Sequence, residues 1–174
     1  MMDAFAAGGL LDWSLGQLKV LSPSDWGLVL AAFVTIRASS LLGMWAYALI
    51  ALPGTLAHEL AHFLVALVLA AKPSFPSLVP KRSEHGWRLG SVAFRAGIVR
   101  SVPIALAPLA LLPLALVYGV AMLAPAAWPV TVFHAWVMAA LLSACLPSRA
   151  DFRIAVPALL LAALAAAAAW FLLR

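Results

Sequence analysis

The sequence predicts an all-α polytopic membrane protein of about five transmembrane helices, within a range of four to six, with a short membrane-surface β-hairpin around residues 75–95. Two observations carry this. Of 174 residues, 66% are hydrophobic and 10% charged, against about 45–50% apolar and about 25% charged in a soluble domain. At about 20 residues per span, the chain accommodates those helices and their turns with no separate soluble domain. The expected organisation is one membrane-embedded domain over 1–174, with an interfacial or mobile lead at 1–22, a core at 41–153 and a C-terminal span at 154–174. A single cysteine, Cys145, excludes an internal disulfide framework and a cysteine-based zinc ribbon.

The lead carries Leu10, Leu11, Trp13, Leu15 and Leu18 as a loosely amphipathic stretch, and no basic residue before Lys19. It therefore lacks the positive start of a cleavable signal, and the first span is expected to act as the targeting element. Ser22-Pro23-Ser24-Asp25 supplies a cap, a first-turn proline and an acid at the positive helix end. A helix should run from about Trp26 towards Arg37.

From Leu41 to Ala71 the only acidic, basic or histidine residues are His58, Glu59 and His62. About 30 residues at 1.5 Å each exceed the bilayer core, so a kink is expected at Pro53-Gly54. Residues 72–100 then hold Lys72, Lys81, Arg82, Arg88, Arg95 and Arg100 against Glu84 alone, which equals the +5 net charge of the whole chain. A short basic loop between apolar spans marks the cytoplasmic side, so the charge calls for no nucleic acid. The expected location is a bacterial-type inner membrane, multi-pass, with the 72–100 loop cytoplasmic. Ser77–Pro80 and Trp87–Phe94 are partly alternating and flank turn residues Ser83–Gly86, the pattern of a hairpin.

Ser101 to about Leu123 reads as a span with Pro103, Pro108 and Pro113, which neighbouring helices can accommodate in a membrane. Ala124–Trp128 turns the chain, and Pro129–Leu146 returns to the basic side. Pro147-Ser148-Arg149-Ala150-Asp151-Phe152-Arg153 collects the remaining polarity, and Ile154–Leu173 forms a last Ala/Leu-rich span.

His58-Glu59-Leu60-Ala61-His62 has the pattern H-E-x-x-H. On a helix, residues four apart share a face, so both imidazoles reach one metal ion and Glu59 lies beside it, placed to take a proton from water that zinc acidifies. Three ionisable groups inside an apolar span are costly and by default mark function. The structural alternative is neutral, hydrogen-bonded histidines with Glu59 paired to Arg37. A third protein ligand is required, and the candidates are Asp151, His85, His134, Cys145 and Glu84. His62 lies about 15 Å deep if the chain to Lys72 is helical. Asp151 is best placed, provided the Pro147 segment leaves helical form and dips inward. His134 is expected to be packed or hydrogen-bonded towards the opposite face, His85 and Glu84 to lie in a solvated turn, and Cys145 to pack as a small apolar residue.

These residues resemble the site-2-protease-like intramembrane zinc metalloproteases (M50-like). The resemblance rests on His58-Glu59-Leu60-Ala61-His62 within a span, on the basic β-like segment from about Ser74 to Phe94, and on Asp151 beside a membrane-embedded turn. It implies zinc held by His58, His62 and Asp151, with Glu59 as catalytic base. Many members carry an Asn-Pro stretch before an Asp-Gly pair, where this chain reads Cys145-Leu146-Pro147-Ser148-Arg149-Ala150-Asp151-Phe152. That form is closer to a small, compact branch without a PDZ-like insert.

The expected activity is hydrolysis of a peptide bond in a transmembrane or membrane-associated protein substrate, within the lipid bilayer. Pro147, Ser148, Val92 and Phe94 are the expected substrate contacts, the hairpin pairing with an unwound substrate strand. The rival readings are a non-catalytic pseudoprotease or scaffold that binds transmembrane segments, in which Glu59 would have no task, and a metal transporter, which calls for a ladder of polar residues across the membrane.

Overall fold

Apolar side chains of this protein face outward, the reverse of a soluble core. In the computed structural model, which describes residues 20–83 and 86–172, Leu30, Val34, Leu60, Leu164 and Phe171 are exposed while Ala115, Ala135, Ala139, Ala140 and Ala155 are buried. Small residues inside let helix backbones approach closely, and large ones outside suit lipid. The chain is 73% helical with a small two-stranded sheet. Three helical stretches, Pro23–Leu42, Ile98–Leu123 and Arg149–Phe171, are long and apolar enough to cross a membrane. A fourth is obtained if the bent pair Met44–Ile50 and Leu52–Val68 counts as one span. Val130–Ala144 is apolar but shorter, about 22 Å against a bilayer core of about 30 Å. The expectation for the lead at 1–22 falls almost wholly outside the described residues, and that for Glu84 and His85 falls wholly outside them.

The chain divides into two compact units, Met1–Thr55 with Leu111–Ala144, and Leu56–Ala110 with Cys145–Arg174. In the first, helix α1 (Pro23–Ala38) starts at the Ser22 cap and tightens into a 3₁₀ turn, Ser39–Leu42. Helix α2 (Met44–Ile50) follows Gly43, whose φ of 110° only glycine adopts freely. The chain bends by 73° between α2 and α3 (Leu52–Val68). The break falls at Ala51, slightly before the expected Pro53-Gly54. Pro53 sits in the first turn of α3, where its missing N–H costs nothing, and its ring disrupts the turn before it. The indole Nε1 of Trp136 donates to the exposed end of α2 at the Ile50 carbonyl, 2.9 Å away. Helices α5 (Leu111–Tyr118) and α6 (Val130–Ala144) complete this unit, and α6 packs on both α1 and α5.

In the second unit α3 ends in a Schellman motif: Ala71 N–H reaches Ala66 O at 2.8 Å and Ala70 N–H reaches Leu67 O at 3.0 Å. Ala70 occupies the left-handed position, φ 53°, that glycine usually fills. The following segment runs antiparallel to residues 91–95, through Arg95 N–H to Ala71 O, Ser74 N–H to Ala93 O, and reciprocal Ser77–Ser91 bonds. The hairpin continues as β1 (Lys81–Ser83) and β2 (Gly86–Arg88).

The hairpin is present, but its first strand lies beyond Ser77–Pro80. Pro76 and Pro80 have no amide to donate. Between the Ser77–Ser91 and Lys81–Arg88 pairs, three residues of the first arm face two of the second, which is a bulge. Helix α4 (Ile98–Leu106) and α7 (Arg149–Leu172) pack together and close the unit. Its core is Ala66, Ala71 and Ile104, flanked by Val65, Leu69, Phe94 and Ala96.

Candidate metal centre

Helix α3 carries His58 and His62 on one face, one turn apart, with ring centroids 4.8 Å apart and planes at 79°. Their Nε2 atoms stand 3.2 Å apart. Asp151 comes from the start of α7. The sequence expects the Pro147 segment to leave helical form, and it does: α6 ends at Ala144 and α7 begins at Arg149. Ser148 caps α7, its Oγ accepting the Asp151 N–H at 3.3 Å while its own N–H donates to Asp151 Oδ2 at 2.6 Å. This reciprocal capping box fixes the Asp151 rotamer. It leaves Oδ1 3.3 Å from His62 Nε2, with Oδ2 3.5 Å from His58 Nε2.

One ligand atom from each of His58, His62 and Asp151 falls within 4.8 Å of the others, a group that can hold a metal ion. Nitrogen and oxygen ligands about 2.0–2.1 Å from a four-coordinate ion stand about 3.3–3.4 Å apart at the tetrahedral angle. The two Nε2 atoms stand 3.2 Å apart, close to that edge, while the 3.3 Å contact of His62 and the 3.5 Å contact of His58 reach different oxygens of Asp151, so the three single ligand atoms close to within 4.8 Å. The burial is also that of a metal site: His62 is 5% exposed and Asp151 9%. His62 Nδ1 lies 2.7 Å from the Ile104 carbonyl oxygen. A carbonyl only accepts, so neutral His62 carries its proton on Nδ1 and turns a lone pair on Nε2 towards a carboxylate oxygen. In a buried site such a cluster is satisfied either by protons shared among the imidazoles and the carboxylate or by a metal ion in their place.

Glu59 is 7% exposed. The bulged hairpin passes directly over it. A Cβ placed on Gly90 would stand 2.6 Å from Glu59 Cγ and Oε1, so any side chain there must displace the Glu59 carboxylate. Val92 and Phe94, expected as substrate contacts, line a cavity of about 410 Å³ together with Ala93, Ala96, Ile98, Ser101 and Ile154. Ile154 lies one helical turn from Asp151, and Ser101 one turn from Ile104. Along this segment Ser91, Ala93 and Arg95 bond to residues 71–77. By strand alternation the backbone groups of Val92 and Phe94 face the other way, and among the described residues they have no backbone partner.

Of the other candidate ligands, His134 belongs to the first unit, where its Nδ1 bonds to the Tyr118 hydroxyl at 2.7 Å. Cys145 is buried. Arg37 is exposed, in the last turn of α1. Two contributors are new relative to the motif. The Ser148-x-x-Asp151 capping box was legible as a pattern, whereas the Ile104 carbonyl, 42 residues from His62, had only Pro108 as a signal. The chain matches no protein-family model, no curated protein and no solved structure.

Proposed function

We propose that the protein is an intramembrane zinc metalloprotease that hydrolyses a peptide bond of a membrane-associated protein substrate. The observation that carries this reading is the meeting of His58, His62 and Asp151 with ligand atoms within 4.8 Å of one another and buried Glu59 next to His58 in the chain. Two histidines and a carboxylate with an open fourth position suit catalytic rather than structural zinc. When bound, zinc supplies Lewis acidity, lowering the pKa of water and polarising the scissile carbonyl.

Glu59 is the general base of this scheme. Its carboxylate takes the proton from water and delivers it to the departing amine. Gly90, having no side chain, leaves the carboxylate room, and the hairpin above it shields the site. The edge at Val92 and Phe94 binds an unwound stretch of substrate by strand addition, which satisfies a backbone that has left helical form. The apolar cavity lined by Val92 and Phe94 takes its side chains, and Pro147 and Ser148, next to Asp151 in the chain, complete the proposed substrate contacts. The basic 72–100 loop orients that opening to the cytoplasmic face of the lipid bilayer.

The test is metal analysis of the purified protein and co-expression with single-span substrates, comparing wild type with Glu59→Gln and His58→Ala. Glu59→Gln is expected to keep zinc and lose cleavage by about 10²–10⁴-fold. His58→Ala is expected to lose both. A Glu59→Gln protein that cleaves normally with zinc bound removes the proposed base.

A further inference from the structure

In an uninterrupted helix the Ile104 carbonyl would accept the N–H of residue 108. Residue 108 is proline and has none. Helix α4 accordingly gives way after Leu106 to the 3₁₀ turn Ala107–Ala110, and the Ala107 N–H reaches back to Ile104 O instead. Three-residue closure tilts the carbonyl and leaves its other lone pair unshared along the helix. Into that position comes His62 Nδ1, at 2.7 Å. Both partners are buried, Ile104 at 0% and Pro108 under 2% exposed, so water does not compete for the carbonyl.

We infer that Pro108 is a positioning residue for the metal site: by withholding an amide donor it presents the Ile104 carbonyl to His62 Nδ1–H, and thereby aims the His62 Nε2 lone pair at His58 and Asp151. Metal-binding histidines generally have the second ring nitrogen held by a carbonyl or carboxylate, and losing that partner weakens metal binding about 10–100-fold. The partner here is a backbone atom, which no side-chain substitution removes. The proline that exposes it is the residue through which the contact can be changed. The inference rests on the metal-site reading above, and its first readout needs no metal.

The experiment uses the full-length chain in lipid nanodiscs with ¹⁵N-labelled histidine. In the metal-free wild type, His62 is expected as the Nδ1–H tautomer by its ¹⁵N shifts, and a spectrum showing Nε2–H overturns the proposal. Pro108→Ala returns an N–H that competes for Ile104 O. His62 should then become a tautomer mixture, and zinc affinity, measured by competition with a chromophoric chelator, should fall about 10–100-fold. Pro157→Ala, which changes a proline within α7, should alter neither readout. Unchanged tautomer and affinity in Pro108→Ala, or an equal loss in Pro157→Ala, overturns the role. If Pro108→Ala does not fold, the wild-type tautomer decides. A wild type that takes up no zinc defeats the metal site, while the tautomer result still decides whether Ile104 holds His62.

Discussion

Helices α1 and α7 begin with the same device and put it to different ends. Ser22 and Asp25 exchange bonds at 2.8 and 3.2 Å, and Ser148 and Asp151 do so at 2.6 and 3.3 Å. Each is a reciprocal cap in which serine serves the third helical residue and that residue's carboxylate serves the serine backbone. The Asp25 carboxylate also accepts a hydrogen bond from the Ser22 hydroxyl at 2.7 Å and is half-buried, so its work is local. Asp151 is 9% exposed and has two imidazole nitrogens within 3.5 Å. The cap thus orients a carboxylate in either place, and only the residues it meets across the fold make one of them a candidate ligand.

Removing each carboxylate should separate the two roles most sharply. Asp151→Ala is expected to abolish stoichiometric zinc binding, measured by metal analysis, because it deletes one of three ligands. Asp25→Ala should keep full zinc and lose about 1 kcal/mol of stability, the usual worth of a helix cap, read as a lower unfolding temperature. Asp151→Asn sharpens the contrast. Its amide oxygen still accepts the Ser148 N–H, so α7 stays capped, while the lost charge lowers zinc occupancy. An Asp151→Ala protein with full zinc would place Asp151 beside Asp25 as a cap and nothing more.

The glycines near these sites form a second contrast with a smaller effect. Gly90 has Glu59 at 2.6 Å from any added Cβ, whereas Gly27, two residues past Asp25, has nothing within 4 Å. Gly90→Ala should push Glu59 out of line and reduce cleavage by at least about tenfold, at 1.4 kcal/mol per factor of ten, with zinc retained. Gly27→Ala should leave cleavage intact and raise stability by up to about 1 kcal/mol, the helix propensity difference. Parallel cleavage and thermal-unfolding assays check both. Equal cleavage by the two variants would mean that the hairpin does not constrain Glu59.

What the sequence disclosed follows the range of each interaction. His58, Glu59 and His62 were legible because spacing of four is a local property of a helix. Pro147 marked the interruption before Asp151, so the third ligand was within reach of the same kind of reading. The hairpin was expected where the alternation lies, yet its first strand forms at Lys81–Ser83. Alternation says nothing of amides missing at Pro76 and Pro80 or of the bulge they accompany. The bend at Ala51 was displaced for a related reason, since a proline disrupts the turn before it. Five spans were expected. Three stretches qualify by length, one pair is bent, and Val130–Ala144 is shorter, because apolar composition does not report where a helix ends. The Ile104 carbonyl that holds His62 is a backbone group 42 residues away, and its one trace in the sequence is Pro108, which marks a freed carbonyl without naming its partner.

Truncating the two capping serines should give the smallest effects and the finest division. Ser22→Ala removes one acceptor for the Asp25 N–H and should cost about 1 kcal/mol, with no consequence for zinc. Ser148→Ala should cost a similar amount of stability, since the lost hydroxyl is the same. It should also weaken zinc, because Asp151 is then held by the Ser148 backbone N–H alone and its carboxylate gains rotamer freedom it must lose on binding. The expected loss is about tenfold, the low end for a group that orients a ligand. Chelator competition on the two variants, normalised to their unfolding temperatures, measures the difference. Matching zinc affinities would show that the α7 cap serves the helix only, and that packing around Asp151, rather than Ser148, sets its direction.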